Sequence, residues 1–193
     1  MKSQFRVCIP ALVLLAGHSP AQEPAHPALP PLGTPPPASA MPRAEFVFEE
    51  RVTLAPAVVL GNTPLGHRQY IPITGGSIAG PKLNGEVIPG GWDFQLRYAS
   101  GCGSLSADYF LRADDGTIIH ILNESFSCGF GAPGAERSWF RPRFEAPIGK
   151  YDWLTRGTFV AQLELEPPAA TAPSATRAQP KLAAIRIRFF QIK

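Results

Sequence analysis

SLSADYFLRADDGTIIHILN, residues 104–123, contains two β-rich runs, 104–112 and 117–123, on either side of Asp114-Asp115-Gly116. Glycine supplies a positive φ in a tight turn and aspartate tolerates one, so this spacing predicts an antiparallel hairpin. Successive side chains of a strand point to opposite faces of the sheet. The stretch therefore predicts a sheet whose two faces have different surroundings.

Similar short runs recur through most of the chain. The first is residues 46–54, where Phe46, Phe48, Val52 and Leu54 alternate with Val47, Glu49, Arg51 and Thr53. The others are 68–73, 85–88, 92–98, 104–112, 117–123, 137–145, 157–166 and 182–192. Turn signals separate them, including Gly75-Gly76, and only residues 151–156 favour a turn of helix. These nine runs predict an all-β, antiparallel, up-and-down barrel of roughly eight to ten strands, with a sandwich as the alternative.

Composition narrows the class of protein. A chain of 193 residues with 45% hydrophobic residues is long enough for one domain with a core of its own. The 18 Lys and Arg residues are scattered and the net charge is only +3, so no nucleic-acid partner is indicated.

The N-terminus has the features of a secretory signal peptide. Lys2 and Arg6 precede the short apolar stretch 7–17, and Ser19-Pro20-Ala21 offers a cleavage site after Ala21. The stretch is too short to span a membrane. We expect a signal peptide over 1–21 and an exported protein, periplasmic or secreted, that does not span the membrane.

Two Pro-rich segments flank or interrupt the expected domain. Residues 22–43 predict a disordered, extended linker, and residues 167–180 predict a low-complexity surface loop. The barrel domain is therefore expected over 44–193.

Cysteine usage agrees with export. Cys8 would leave with the signal peptide, so Cys102 and Cys128 remain. An even number of cysteines in an exported chain favours a disulfide, which would add roughly 3–4 kcal/mol by the loop-entropy model. Free thiols are the alternative. A zinc site is disfavoured because the spacing lacks C-x-x-C and H-x-H pairs, and no cofactor is expected.

Three longer strings carry a resemblance to a known family. They are GNTPLGHRQYIPITGGSIAGPKLNGEVIPGGWDFQLRYASG from Gly61, DYFLRADDGTIIHILNES from Asp108 and WFRPRFEAPIGKYDWLTRGTFVAQ from Trp139. Together they resemble the domain-of-unknown-function family numbered 3237, also called UPF0311. The resemblance implies a compact, barrel-like β domain without an established biochemical function, and it carries over no catalytic set.

Asp93 is the best acid–base candidate. Alternation along 92–98 puts Asp93, Gln95 and Arg97 on one strand face, opposite Trp92, Phe94, Leu96 and Tyr98. If the polar face lines the barrel, Asp93 with Arg68 or Arg141 would form a buried catalytic cluster with shifted pKa values. If it faces outward, the same residues are merely solvated. The remaining acidic candidates are Asp108, Asp114, Asp115, Glu124 and Glu145.

Ligand-binding candidates are Tyr109, Asn123 and Trp153, although aromatic residues of a small barrel are often simply core.

Three functions remain open. The first is a barrel that binds a small, partly apolar molecule. The second is a cofactor-independent enzyme, an isomerase, cyclase or hydrolase, that uses the Asp/Arg cluster. The third is an interaction module of the cell envelope.

Overall fold

A computed structural model describes residues 30–128, 139–166 and 184–193. The predicted signal peptide (1–21) and loop (167–180) lie outside the described residues, as does the start of the predicted linker. The chain divides into two units, residues 1–40 and 41–193. In the described part of the first unit, residues 30–40 are exposed and include one short 3-10 helix, Ala38–Ala40.

The second unit is almost entirely β structure. Its described elements are β1 (Ala44–Leu54), β2 (Val58–Thr63), β3 (Gly66–Ala79), β4 (Gly85–Val87), β5 (Trp92–Arg97), β6 (Cys102–Ala113), β7 (Ile118–Cys128), β8 (Trp139–Glu145), α1 (Asp152–Arg156), β9 (Thr158–Leu165) and β10 (Ala184–Ile192). The all-β class and the single helical turn are confirmed. Strand β2 was missed because its sequence, VVLGNT, has no alternating pattern. Within the described ranges, no helix is long and apolar enough to cross a membrane.

The sheet closes on itself through β1. This strand pairs with β10 along one edge and with β3 along the other, always antiparallel. β1 and β2 pair with successive parts of β3, while β4 and β5 each bridge β3 and β6. From β6 to β10 each described strand pairs with the next. The result is an up-and-down barrel with eight strand positions, so the barrel prediction is confirmed and the sandwich alternative is wrong.

The predicted turn at Gly75-Gly76 is wrong, because both glycines lie inside β3. At Gly76 the chain passes very close to β1: a Cβ there would lie 2.2 Å from the carbonyl oxygen of Arg51. Its φ of 156° is also rarely adopted by other residues. Gly76 therefore permits close strand approach where β3 passes from β2 and β5 to β1 and β4.

A β-bulge resets the alternation of β1. The pairing with β10 shifts between Phe46 and Phe48, so Phe46 is 38% exposed whereas Val47 and Phe48 are both buried. From Phe48 onward every second residue points inward, including Glu50 and Val52. The bulge therefore sets which side chains of β1 enter the barrel.

Aromatic packing fills one half of the interior. The rings of Phe48 and Phe189 stack with centroids 4.5 Å apart, and Phe144 contacts both of them and Phe159. Leu154 of α1 belongs to the same buried cluster. None of these side chains lines either described cavity, so this part of the barrel is a packed core.

We expect Gly85→Ala to destabilise the protein by at least about 2 kcal/mol more than Gly116→Ala. Both residues have positive φ, but a Cβ at Gly85 would lie 2.0 Å from the carbonyl oxygen of Arg112, whereas Gly116 has open space. Urea unfolding of the two variants gives their free energies of unfolding, and the difference measures the cost of the clash with Arg112. Equal destabilisation would contradict the described packing of β4 on β6.

Candidate functional site

Two buried polar side chains flank an alanine across three neighbouring strands. Asp93 of β5 lies directly opposite Ala107 of β6, and Ala107 lies opposite Asn123 of β7. Residues directly opposite each other share a sheet face, so all three point into the barrel. Asp93 is 6% exposed and Asn123 is fully buried.

A second buried acid lies on β1. The Tyr109 hydroxyl donates a hydrogen bond to Oε2 of Glu50 over 2.8 Å, and both side chains are buried. Burial raises the pKa of Glu50 to about 8, although the bond from Tyr109 acts in the opposite direction. Burial, followed by the Glu50 carboxyl, also raises the pKa of Tyr109 well above its ordinary value, against the effect of the nearby Asn123 amide. The pair is therefore mostly uncharged at neutral pH.

Asp93 is held at one carboxylate oxygen. Gln95 donates from Nε2 to Asp93 Oδ2 over 2.8 Å, and Gln69 donates from its own Nε2 to Gln95 Oε1 over 2.7 Å. Burial raises the pKa of Asp93 to about 6, partly offset by the bond from Gln95. A carboxyl in this range can hold or release a proton near neutral pH.

Four buried polar atoms have no hydrogen-bond partner within the described residues: Glu50 Oε1, Asp93 Oδ1 and the two amide atoms Oδ1 and Nδ2 of Asn123. Buried polar groups in folded proteins are nearly always paired, because each unpaired one costs roughly 1–3 kcal/mol. Their concentration in one part of the barrel is typical of a site that receives a polar group from a ligand or solvent.

Two cavities adjoin this cluster. The inner one, of about 20 Å³, is lined by Asp93, Tyr109 and Asn123 among apolar side chains. The outer one, of about 290 Å³, lies between β5, β6 and β7 at the end near Cys102. Leu105 and Phe140 line both cavities. Asp93 therefore lines a small cavity that shares wall residues with a space large enough for a small organic molecule.

The structure does not form the predicted cluster of Asp93 with Arg68 and Arg141. Asp93 lies opposite Ile71 on β3, so Arg68, three residues earlier, points to the outer face. Arg141 is exposed and alternates with the buried Phe140 on β8. The predicted set fails because the two arginines lie on the solvent face of the sheet, whereas Asp93 points inward.

The predicted ligand-binding residues lie in two different parts of the barrel. Tyr109 and Asn123 line the inner cavity. Trp153 lies on α1, where its ring packs 5.8 Å from that of Phe159 and under the ammonium group of Lys82. It lines neither described cavity and belongs to the packed half of the barrel.

The other acidic candidates point away from the interior. Asp108 pairs with His120 over 2.7 Å on the outer surface, and Glu124 pairs with Arg143 over 3.0 Å. Asp115 binds Lys150 over 2.7 Å and also accepts a hydrogen bond from the Tyr151 hydroxyl. These contacts link the segment before α1 to the β6–β7 turn. The remaining two, Asp114 and Glu145, are exposed.

Glu50 is the site residue that the sequence analysis missed. It occupies an inward position between Phe48 and Val52, so a carboxylate on the apolar face of a strand was the available signal. Its partner Tyr109 lies 59 residues away in sequence, and no local pattern links the two.

Cys102 and Cys128 form the predicted pair. They lie directly opposite each other where β6 begins and β7 ends, with their sulfur atoms 2.05 Å apart. Cys102 also lines the outer cavity. The disulfide therefore ties together two strands that form a wall of that cavity.

The family model described as "Protein of unknown function (DUF3237)" matches residues 42–173. A UPF0311 protein of Clostridium acetobutylicum is 36% identical over 129 residues, which cover 60% of this chain and 82% of the relative. The hydroalkoxylation enzyme phnH of Penicillium herquei is 31% identical over 117 residues, covering 61% of this chain and 71% of that enzyme.

Solved structures show the same fold. A protein of unknown function from Clostridium acetobutylicum superposes with a TM-score of 0.65 at 30% identity, covering 78% of this chain and 99% of the other. A β-barrel-like protein from Acinetobacter baumannii gives 0.62 at 25% identity, with coverages of 83% and 99%. An enzyme from Penicillium herquei gives 0.59 at 25% identity, with coverages of 84% and 100%.

We expect Glu50 to make the protein less stable as the pH rises. Between pH 4.5 and about 8 the folded protein keeps the Glu50 proton while the unfolded chain has released it. The free energy of unfolding therefore falls across this window, by an amount on the order of 5 kcal/mol from Glu50. Glu50→Gln keeps an acceptor for Tyr109 but cannot ionise, so its denaturation midpoint should change less with pH. Exposed Asp114→Asn is the control, and identical pH profiles for all three proteins would contradict a buried Glu50.

Proposed function

The chain belongs to the DUF3237 family, and from this membership and the geometry of its interior we propose that it is a cofactor-independent acid–base enzyme acting on a small, partly apolar molecule. One observation carries the proposal: the Asp93 carboxyl is buried, has an unpartnered oxygen, and lines an inner cavity that shares two wall residues with the larger outer cavity. Enzymes place a proton-transfer group in this way, at the edge of a mostly apolar pocket.

Asp93 suits the role of general base. A base works best when its pKa lies near the working pH, and the pKa of about 6 leaves this carboxyl mostly ionised at pH 7. Gln95 occupies Oδ2, which leaves Oδ1 free to accept a proton from a bound molecule. The interior shields that transfer from bulk water.

The fungal relative, a hydroalkoxylation enzyme, suggests the reaction type. Hydroalkoxylation adds an alcohol O–H across a carbon–carbon double bond. In this chain Asp93 would take the hydroxyl proton, the oxygen would bond to one alkene carbon, and the proton would pass to the other alkene carbon. One O–H bond and the C=C π bond are lost and one C–O and one C–H bond form, so no oxidant or reductant is needed.

Asn123 completes the set. Its unpartnered Nδ2 group is a preorganised donor for negative charge that develops on a substrate oxygen. Tyr109 already donates to Glu50, so its hydroxyl is positioned by that bond and bounds the inner cavity. Asp93, Asn123 and Tyr109 thus replace the Asp93–Arg68–Arg141 set as the proposed site.

Binding without turnover is the second candidate. It is favoured by the outer cavity of about 290 Å³, whose size and mixed lining suit a small organic ligand whether or not a reaction follows. The two candidates share one pocket and differ in whether Asp93 transfers a proton. A substitution that removes the proton-accepting oxygen therefore distinguishes them.

We also propose that the protein is exported and processed after Ala21. The Cys102–Cys128 disulfide supports this proposal because disulfides persist chiefly in oxidising compartments. Intact-mass measurement of protein from its own host should show a chain that begins at Gln22, with both cysteines protected from alkylation. A chain that retains residues 1–21, or two alkylatable thiols, would overturn the proposal.

We expect Asp93→Asn to lower kcat/KM by a factor of about 10²–10⁴ on any hydroxy-alkene that the wild-type protein cyclises, because amides do not accept protons as carboxylates do. The Kd for that compound should change little. In the wild-type protein kcat/KM should rise with pH through about 6, the pKa of Asp93, and then level off. The assay uses a panel of hydroxy-alkenes and separates substrate from product by chromatography. Cyclisation changes the retention time and leaves the mass unchanged.

The matched control is Asp108→Asn, which makes the same change on the outer face of the barrel. It should leave both kcat/KM and the pH profile unaltered. Full activity in Asp93→Asn would remove the catalytic half of the proposal and leave only binding.

A further inference from the structure

The inner cavity has the dimensions of a single-atom site. Its volume of about 20 Å³ is close to what one water molecule requires. Apolar side chains form most of its wall: Val52, Leu54, Ile73, Leu105, Ala107, Phe140, Leu163, Ile185 and Ile187. Three polar residues complete the lining, and two of them, Asp93 and Asn123, carry unpartnered atoms.

The size of Ala107 creates this space. Asp93 and Asn123 flank Ala107 on the two neighbouring strands. With strands about 4.8 Å apart, their Cα atoms are separated by roughly 10 Å, a gap that two short polar side chains and one oxygen atom between them can bridge. A larger side chain at position 107 would fill that gap.

We infer that the inner cavity is a binding subsite for one uncharged hydroxyl group, carried by a ligand whose apolar remainder occupies the outer cavity. This inference rests on the proposed function and specifies which part of the substrate lies at Asp93. A hydroxyl both donates and accepts, so it can accept from Asn123 Nδ2 and donate to Asp93 Oδ1 or Asn123 Oδ1.

Other groups match the subsite less well. A carbonyl oxygen only accepts and would leave the Asp93 and Asn123 oxygens unpaired. A ligand carboxylate would add a second negative charge beside Asp93, at the energetic cost of like charges in a buried site. A methyl group fits by size but leaves Asp93 Oδ1 and both amide atoms of Asn123 without a partner.

The two cavities share Leu105 and Phe140 as lining residues, and the inferred ligand spans both cavities, with its hydroxyl in the inner one and its body in the outer one. The mixture of Gln95, Tyr98, Ser104 and Leu105 in the outer lining suits an aromatic or alicyclic body. The reacting oxygen would then be the deepest atom of the bound substrate, with its alkene on the side of the outer cavity.

The test compares three probes of one shape on the full-length protein: 2-naphthol, 2-methylnaphthalene and 2-naphthoate. We expect 2-naphthol to bind about tenfold more tightly than either of the others by isothermal titration calorimetry. Asn123→Leu should reduce this preference to less than about threefold and should bind 2-methylnaphthalene at least as tightly as the wild-type protein does, because it removes two unpartnered polar atoms. Ala107→Val, which fills the gap without removing a polar group, should also abolish the preference.

A measurement on protein of wild-type sequence does not depend on whether the variants fold. In ¹⁵N-labelled protein the side-chain amide signal of Asn123 should shift on addition of 2-naphthol and stay in place with 2-methylnaphthalene. Equal affinities of the wild-type protein for these two probes, or an unmoved Asn123 signal, would overturn the inference.

The probes carry no reactive alkene, so this experiment does not depend on turnover. A naphthol preference together with full activity in Asp93→Asn would refute the enzyme proposal and keep the hydroxyl subsite. Loss of activity in Asp93→Asn without any naphthol preference would keep the enzyme and refute the subsite.

Discussion

Closure of the sheet by β1 is the constraint on which the site depends. Because β1 pairs with β10 on one side and β3 on the other, the strands enclose an interior, and alternation then assigns each side chain to the inside or the outside. A register slip of one residue would exchange these two sets. The inward positions of Asp93, Asn123 and Glu50 are thus consequences of pairing across the whole barrel.

The interior is divided between stability and chemistry. Phe48, Phe144, Phe159 and Phe189 pack one half together with α1 and provide a conventional core. The other half holds two buried carboxyl groups and the unpartnered Asn123 amide, which reduce stability in proportion to how fully they are desolvated. Such groups are common where a protein binds or transforms a ligand, and the same burial that costs stability brings the pKa of Asp93 close to neutral.

The family relationship establishes the fold more firmly than the chemistry. Matching barrels include proteins of unknown function and a fungal enzyme, and one fold can support different activities when its interior side chains differ. The function proposed for this chain therefore depends on Asp93, Asn123 and Tyr109, which line the inner cavity. The disulfide ties β6 to β7 at a wall of the outer cavity.

Local sequence was sufficient for features that depend on neighbouring residues. The β6–β7 hairpin followed from its Asp-Asp-Gly turn, the barrel class from many short alternating runs, and the Cys102–Cys128 pair from an even cysteine count. The tertiary structure alone decided which faces point inward, because that depends on the β1 bulge and on closure between β1, β3 and β10. It excluded Arg68 and Arg141 from the interior and joined Glu50 to Tyr109, since contacts between distant strands are set by register around the barrel and leave no local pattern in the sequence.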